Sequence, residues 1–279
     1  MNVFLFVVFI VCLVPENPAT NASVASPDNF TSNIVGGTNA NPRKYKFTVF
    51  VTDGNYVCGG SILDTKTVLT AAHCVCERPN LFVIAGAKDP VGIITNQTNI
   101  TNEQIRDVDR VILYPGYNCN RQVQTIGDIA VLKLLELFTF NKIVGDPVDI
   151  PNSRLEKRAK RVGDCRAIGF GLINQNPREF PERLQELFVR VRSTSFCRKM
   201  TSDATDSLTW NGKLICTYNG FGKNICGGDS GSALVCFVNS RPIQLGIVSF
   251  GWNPCVLGLN GFVRTKSYRT WIHEKQNAA

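Results

Sequence analysis

"CGGDSGSALVC", residues 226–236, sets Ser230 between glycines and an acid and closes the stretch with a cysteine at each end. Glycine loses more freedom on folding than any other residue, so crowding Gly227, Gly228 and Gly231 around one hydroxyl suggests a special turn that presents it. A serine hydroxyl is a poor nucleophile until a base takes its proton, and histidine suits that task near neutral pH. The chain holds only two histidines, His73 and His273. His273 falls in the helix-patterned "SYRTWIHEKQ" (267–276) beside Glu274 and Lys275, where a solvated surface position is the default. His73 stands in "TAAHC" (70–74), among small residues fixed by Cys74 just after a strand-like run.

A histidine base needs a buried carboxylate on its second ring nitrogen to fix tautomer and orientation. Asp128 in "GDIAVLKL" (127–134) precedes an apolar strand and can point inward at its entrance. Asp107 and Asp109, flanking "VDRVILYP", compete, but nothing ties them to a nucleophile. Attack on a carbonyl puts negative charge on oxygen, which two backbone N–H groups stabilise without reorganising. Gly228 and Ser230 are placed to supply them. "GDSG" alone is equally an ordinary turn; His73 and Asp128 in their contexts give it weight.

The rest of the chain limits where such chemistry can reside. With 279 residues, 44% of them hydrophobic, it can fill one large all-β unit or two small domains. "MNVFLFVVFIVCLV" is an uncharged apolar run followed by polar residues, and it reads as a secretory signal peptide. Cleavage after Ala19 or Ala25 is conceivable, and the missing positive n-region keeps a membrane anchor as the alternative. Cys12 lies inside this run, which leaves ten cysteines, an even set for disulfides in an oxidising compartment. Sequons at Asn21, Asn29, Asn96 and Asn99 fit secretion. The formal charge is +8, and because residues 1–33 hold Glu16, Asp28 and no base, the remainder is more basic still. That favours acidic surroundings in general but points to no nucleic acid; "RLEKRAKR" (154–161) reads as a solvated loop or helical turn.

Short β-rich runs, "FTVFV", "TVLTAA", "LFVIAG", "IAVLKLL", "LFVRV", "ALVCFV" and "IQLGIVSF", alternate with Gly, Pro, Asn and Asp clusters and predict an antiparallel barrel or sandwich. One helix is expected, at the end, with Tyr268, Trp271 and Ile272 on one face. No phosphate-cradling glycine loop or His-rich metal site occurs, so neither a cofactor nor a metal is expected; Asp89 and Glu103 do not form a convincing calcium set.

Taken together, "IVGG" at Ile34, "TAAHC", "DIAVL", "CGGDSG" and the final "WI" at Ile272 resemble the chymotrypsin-like (trypsin-like) secreted serine endopeptidases over nearly all of the chain after the leader. The resemblance implies an all-β fold of two six-stranded antiparallel barrels with a C-terminal helix, the boundary falling near 145–160. It divides the chain into a signal (1–19), a propeptide (20–33) and a protease domain (34–279). It implies a triad of His73, Asp128 and Ser230 acting through an acyl-enzyme, an oxyanion hole from Gly228 and Ser230, and protein or peptide substrates. It pairs Cys58 with Cys74, Cys165 with Cys236, Cys197 with Cys216 and Cys226 with Cys255; Cys76 and Cys119 remain, and we expect a fifth bridge between the loops bordering the cleft.

Cutting before Ile34 would free an amine that pairs with Asp229, although Asn33 stands where the family carries Arg or Lys, so an asparagine-specific activating protease or self-activation is expected. The resemblance places Asn224 at the floor of the primary pocket, with Ser249 near Asp128 and Gly251 keeping the pocket open. A further wall residue is Asn260 counted from Trp271, or Phe262 counted from Cys255; the former needs fewer insertions. Without a floor carboxylate, Lys and Arg enter unpaired, so the specificity is expected to be non-tryptic. Lys223 beside the floor is read as facing outward. Ser232, Ala233 and Phe250 depart from the family pattern without removing a catalytic group. The expected product is an extracellular monomer with an activating protease and protein inhibitors as partners, with no membrane association; a catalytically silent binding protein is the alternative.

Overall fold

The computed structural model describes residues 34–120, 126–175, 178–201, 210–251, 255 and 258–278. The leader, Cys12, Asn21, Asn29 and Asn33 therefore lie outside the described residues. Sixteen strands are described: β1 (Thr38–Asn39), β2 (Thr48–Thr52), β3 (Val57–Asp64), β4 (Thr67–Thr70), β5 (Phe82–Ala85), β6 (Gln104–Leu113), β7 (Ala130–Leu134), β8 (Cys165–Gly169), β9 (Asn174–Gln175), β10 (Arg178–Glu179), β11 (Gln185–Phe188), β12 (Val191–Arg192), β13 (Leu214–Tyr218), β14 (Ala233–Val238), β15 (Arg241–Gly251) and β16 (Leu259–Arg264). Helices are α1 (Pro90–Ile94), α2 (Ser153–Val162), α3 (Thr194–Met200) and α4 (Arg269–Asn277).

The first six long strands close into a barrel in the order β2-β3-β4-β7-β6-β5, every pair antiparallel. Closure removes free strand edges. β2 and β7 are buried along their whole length, as expected of strands covered on both faces. The core they line, with Phe47, Phe50, Ile62, Leu69 and Leu132, continues without a break into Ile168, Val235 and Ile247 of the following strands. One apolar cluster thus joins the two halves.

The second half departs from the expected closed barrel. It is an open, curled sheet in the order β1-β11-β8-β14-β15-β16-β13-β12. β12, at one edge, and β11, which lies next to the opposite edge strand β1, are successive pieces of one stretch, parted at Val189 and Arg190. There an asparagine adds to the backbone bonds: Arg190 N donates to Asn219 Oδ1 and Asn219 Nδ2 donates to Phe188 O, both at 2.9 Å, while Val189 N donates to Cys165 O and Arg190 O accepts from Tyr218 N.

Helix α4 returns to the first barrel. Lys133 Nζ in β7 donates to Gln276 O at 2.7 Å, and Gln276 Nε2 donates to Leu63 O at 3.0 Å. The basic segment is a full helix, α2, with Asn152 Oδ1 accepting from Leu155 N at its start and left-handed Gly163 at its end. Among the described residues no helix is long and apolar enough to cross a membrane.

Candidate active site

Asp128 sits at the entrance of β7, 1% exposed, and is held from both halves of the molecule. His73 N donates to Oδ1 at 2.9 Å, His73 Nδ1 lies 2.8 Å from Oδ2, and Ser249 Oγ of β15 donates to the same Oδ2 at 2.5 Å. An ionised carboxylate only accepts, so Nδ1 carries the proton and Nε2 keeps its lone pair. Burial pushes the imidazole pKa down, the Asp128 charge and hydrogen bond push it up, and the result lies above the ordinary value. Asp107 and Asp109 are both exposed, which leaves Asp128 as the buried partner. The loop before it is fixed by a contact not expected from sequence: Gly127 N donates to Tyr268 Oη at 3.0 Å, and Tyr268 stacks edge-on against Tyr114. In sequence Tyr268 showed only as part of an apolar helix face.

The serine turn is wedged between the two halves. Ser230 O accepts from Gly59 N of β3 at 2.7 Å, while Gly231 N donates to Val248 O of β15 at 2.9 Å. A β-carbon on Gly231 would collide with Thr70 Oγ1 and Gly59 O, so only glycine permits this approach. Both contacts lead back to the other two residues. Gly59 follows Cys58, whose disulfide ends at Cys74 beside His73, and Val248 precedes Ser249 on Asp128. Sequence reasoning passed over Gly59, although a glycine inside a strand signals a close backbone approach.

Gly228 has φ +94°, and a β-carbon there would stand 3.1 Å from both Gly171 Cα and Phe180 Cε1. Among the described residues neither Gly228 N nor Ser230 N has a protein acceptor. Between them Asp229 is fully buried; its carboxylate accepts from Gly171 N at 2.8 Å and Cys226 N at 2.9 Å, and burial raises its pKa to about 6. Ile34 is also fully buried, at φ 27°, and Val35 O accepts from Asn224 N at 2.9 Å. The segment after the expected cut therefore lies along the loop that carries Asp229.

Asn224 and Asn260 are fully buried. Asn260 pairs with Gly251 across β15 and β16, its Oδ1 3.6 Å from where a β-carbon on Gly251 would sit; Ile225 Cγ1 lies 3.7 Å from that point. Phe262 packs instead in the core of the open sheet, its Cβ close against Gly246. Lys223 is exposed.

All five expected disulfides are formed, Cys76 with Cys119 included. Cys58, His73 and Cys74 cluster closely enough to suggest a metal, but both sulfurs are spent in their disulfide and offer no thiolate. Asp89 caps α1 and accepts from Thr98 Oγ1, while Glu103 accepts from the Thr101 and Asn102 amides, which accounts for both acids. Asn96 and Asn99 are exposed. His273 is half-buried rather than solvated and lines a separate cavity with Leu63, Asp149 and Arg269.

The family model described as Trypsin matches residues 34–272. Chymotrypsin-2 of Vespa crabro is 31% identical over 245 residues, covering 87% of this chain and 100% of its own. Coagulation factor IX of Oryctolagus cuniculus is 32% identical over 88% of this chain and 85% of its own; serine protease 28 of Mus musculus is 28% identical over 93% and 94%. With the family model spanning most of its length, the chain belongs to the trypsin family and is a serine endopeptidase.

Proposed function

We propose that His73, Asp128 and Ser230 perform the hydrolysis in a secreted enzyme made as a zymogen. His73 Nε2 takes the Ser230 proton as Oγ attacks the peptide carbonyl, and the imidazolium that forms is stabilised by Asp128. The Gly228 and Ser230 amides hold the oxyanion, His73 then protonates the departing amine, and water cleaves the acyl-enzyme by the same steps in reverse order. The observation that carries this reading is the double tie of the serine turn, to the His73 disulfide through Gly59 and to the Asp128 ligand Ser249 through Val248.

In this reading a leader directs the chain outside the cell and is removed, and cleavage before Ile34 frees an amine for Asp229, whose buried carboxylate has backbone donors around it. The open sheet takes the place of the second barrel, the chain running directly from β11 to β12 through 189–190. Substrates are proteins or peptides entering between the halves, with uncharged side chains taken in the primary pocket at Asn224 and Asn260. A nitrophenyl ester tests the chemistry: protein beginning at Ile34 should release a burst of one nitrophenol per chain before steady turnover, and a correctly trimmed protein with no turnover would overturn the reading.

A further inference from the structure

Two side chains expected in the primary pocket carry buried polar atoms without partners. Asn224 Nδ2 and Oδ1 and Asn260 Oδ1 are all buried without a hydrogen-bond partner, while Asn260 Nδ2 reaches Thr217 Oγ1 at 3.4 Å. Buried polar groups are nearly always paired, and these three orphans belong to the two side chains expected in the primary pocket, with Asn260 Oδ1 and Ile225, the residue after Asn224, both within 4 Å of where a β-carbon on Gly251 would sit. With Asn260 Nδ2 turned to Thr217 Oγ1, the set comprises one amide donor group and two carbonyl acceptors, and turning the Asn224 amide over leaves it unchanged.

We propose that this pocket selects a carboxamide, so that the enzyme cuts after asparagine and glutamine. The proposal rests on the proteolytic reading above and names its substrate class. A carboxamide NH₂ offers two donors for Asn224 Oδ1 and Asn260 Oδ1, and its carbonyl accepts from Asn224 Nδ2. A carboxylate brings only acceptors against two carbonyl oxygens. A lysine ammonium brings donors, but its charge is buried without a counter-charge, since the floor residue is neutral Asn224. Leucine or phenylalanine leaves all three orphans unpaired. Sites built to bond a polar group reject analogues that lack it more strongly than apolar slots reject one another.

The same chemistry accounts for an otherwise odd residue in the chain itself. Asn33 precedes Ile34 at the expected activation cut, so the enzyme's preferred side chain stands at its own junction. One active molecule then trims the next.

The test uses the full chain with Asn33→Arg, which lets trypsin generate the Ile34 terminus independently of the enzyme's own preference. Peptides differing only in the residue before the cut (Asn, Gln, Asp, Lys, Leu, Phe) are compared by kcat/KM, with organophosphate labelling of Ser230 measured in parallel. Asn and Gln are expected to lead Leu and Phe by about ten- to a hundredfold, and Asn224→Leu should erase that lead. In a second arm, unaltered chain should convert to the Ile34 form and Ser230→Ala chain should not, unless active enzyme is added. Labelled enzyme that prefers apolar or charged residues, or cuts none of the series, overturns the carboxamide pocket alone. Absence of labelling overturns the proteolytic reading beneath it.

Discussion

Ser249 Oγ and His73 Nδ1 meet on one oxygen, Oδ2 of Asp128, at 2.5 and 2.8 Å. The serine belongs to the open sheet and the histidine to the barrel, so a single carboxylate oxygen couples the two halves at the point where chemistry is proposed. Removing this carboxylate should therefore cost more than removing its hydroxyl donor. Asp128→Asn presents an amide that no longer fixes the tautomer, and kcat should fall by about 10⁴-fold. Ser249→Ala leaves His73 on Asp128 and should lower kcat/KM by roughly tenfold, the loss of one hydrogen bond to a charged group. Steady-state kinetics of the two variants decide the order.

The pH profile follows from His73. Catalysis needs the neutral ring, and the Asp128 charge holds the imidazolium form to higher pH than usual despite burial. The acid limb of kcat/KM should accordingly fall above about pH 6.5, the ordinary histidine value. As the folded pKa is raised, the stability from the imidazolium–Asp128 pair is full below the ordinary value and fades as pH rises through the folded one. Asp128→Asn should shift the acid limb downward, read from whatever activity remains.

Activation should leave a pH signature at Asp229. In the folded chain burial raises this carboxyl to about 6, and an Asp with a raised pKa contributes stability at low pH that is lost as pH rises through that value. A new amine at Ile34 compensates the charge. The melting temperature of Ser230→Ala chain should therefore fall between about pH 4 and pH 7 relative to the same chain trimmed to Ile34. The difference corresponds to about 2 kcal/mol, from a shift of roughly two units, and differential scanning calorimetry of both forms measures it.

Gly228→Ala tests the oxyanion role. At φ +94° the new methyl group is strained and presses on Gly171 and Phe180, turning the amide away. A fall in kcat of about 10²–10³-fold with little change in KM is expected. A variant whose KM alone rises would place Gly228 in substrate binding instead.

The Cys76–Cys119 bridge closes a separation of 43 residues between the segment after His73 and the stretch before Asp128. Replacing both cysteines by serine should lower stability by up to about 4 kcal/mol in the chain-entropy account. Urea unfolding of the double variant gives the figure.

Much of this arrangement was legible in sequence because its parts carry local signals. Ser230, His73 and Asp128 each sit in a short motif whose composition states its need: glycines for a turn, small residues beside a cysteine, an acid before an apolar strand. The strands found in advance, such as β7 and β14, are continuous apolar runs. β6 was missed because Arg106, Asp107, Asp109 and Arg110 interrupt its pattern, and the structure shows why: much of that strand faces solvent. The α2 segment reads in sequence only as a solvated loop or exposed helical turn, since its inward face is Glu156 and Ala159 with Leu155 half-buried beside them, too few apolar positions for a stripe. What sequence cannot show is contact at a distance. Tyr268 supporting Gly127, 141 positions away, and Asn219 bracing the chain between Phe188 and Arg190 depend on the folded chain bringing them together. The Asn224 and Asn260 pocket lay between the two kinds, its residues named in advance and their unpaired atoms visible only in the fold.

The most direct measurement is mass spectrometry of the Ile34-trimmed protein after exposure to an organophosphate. The account predicts one phosphoryl group per chain, carried by Ser230, and a rate of labelling that collapses in His73→Ala. An unlabelled chain, or an adduct on a different residue, would contradict it.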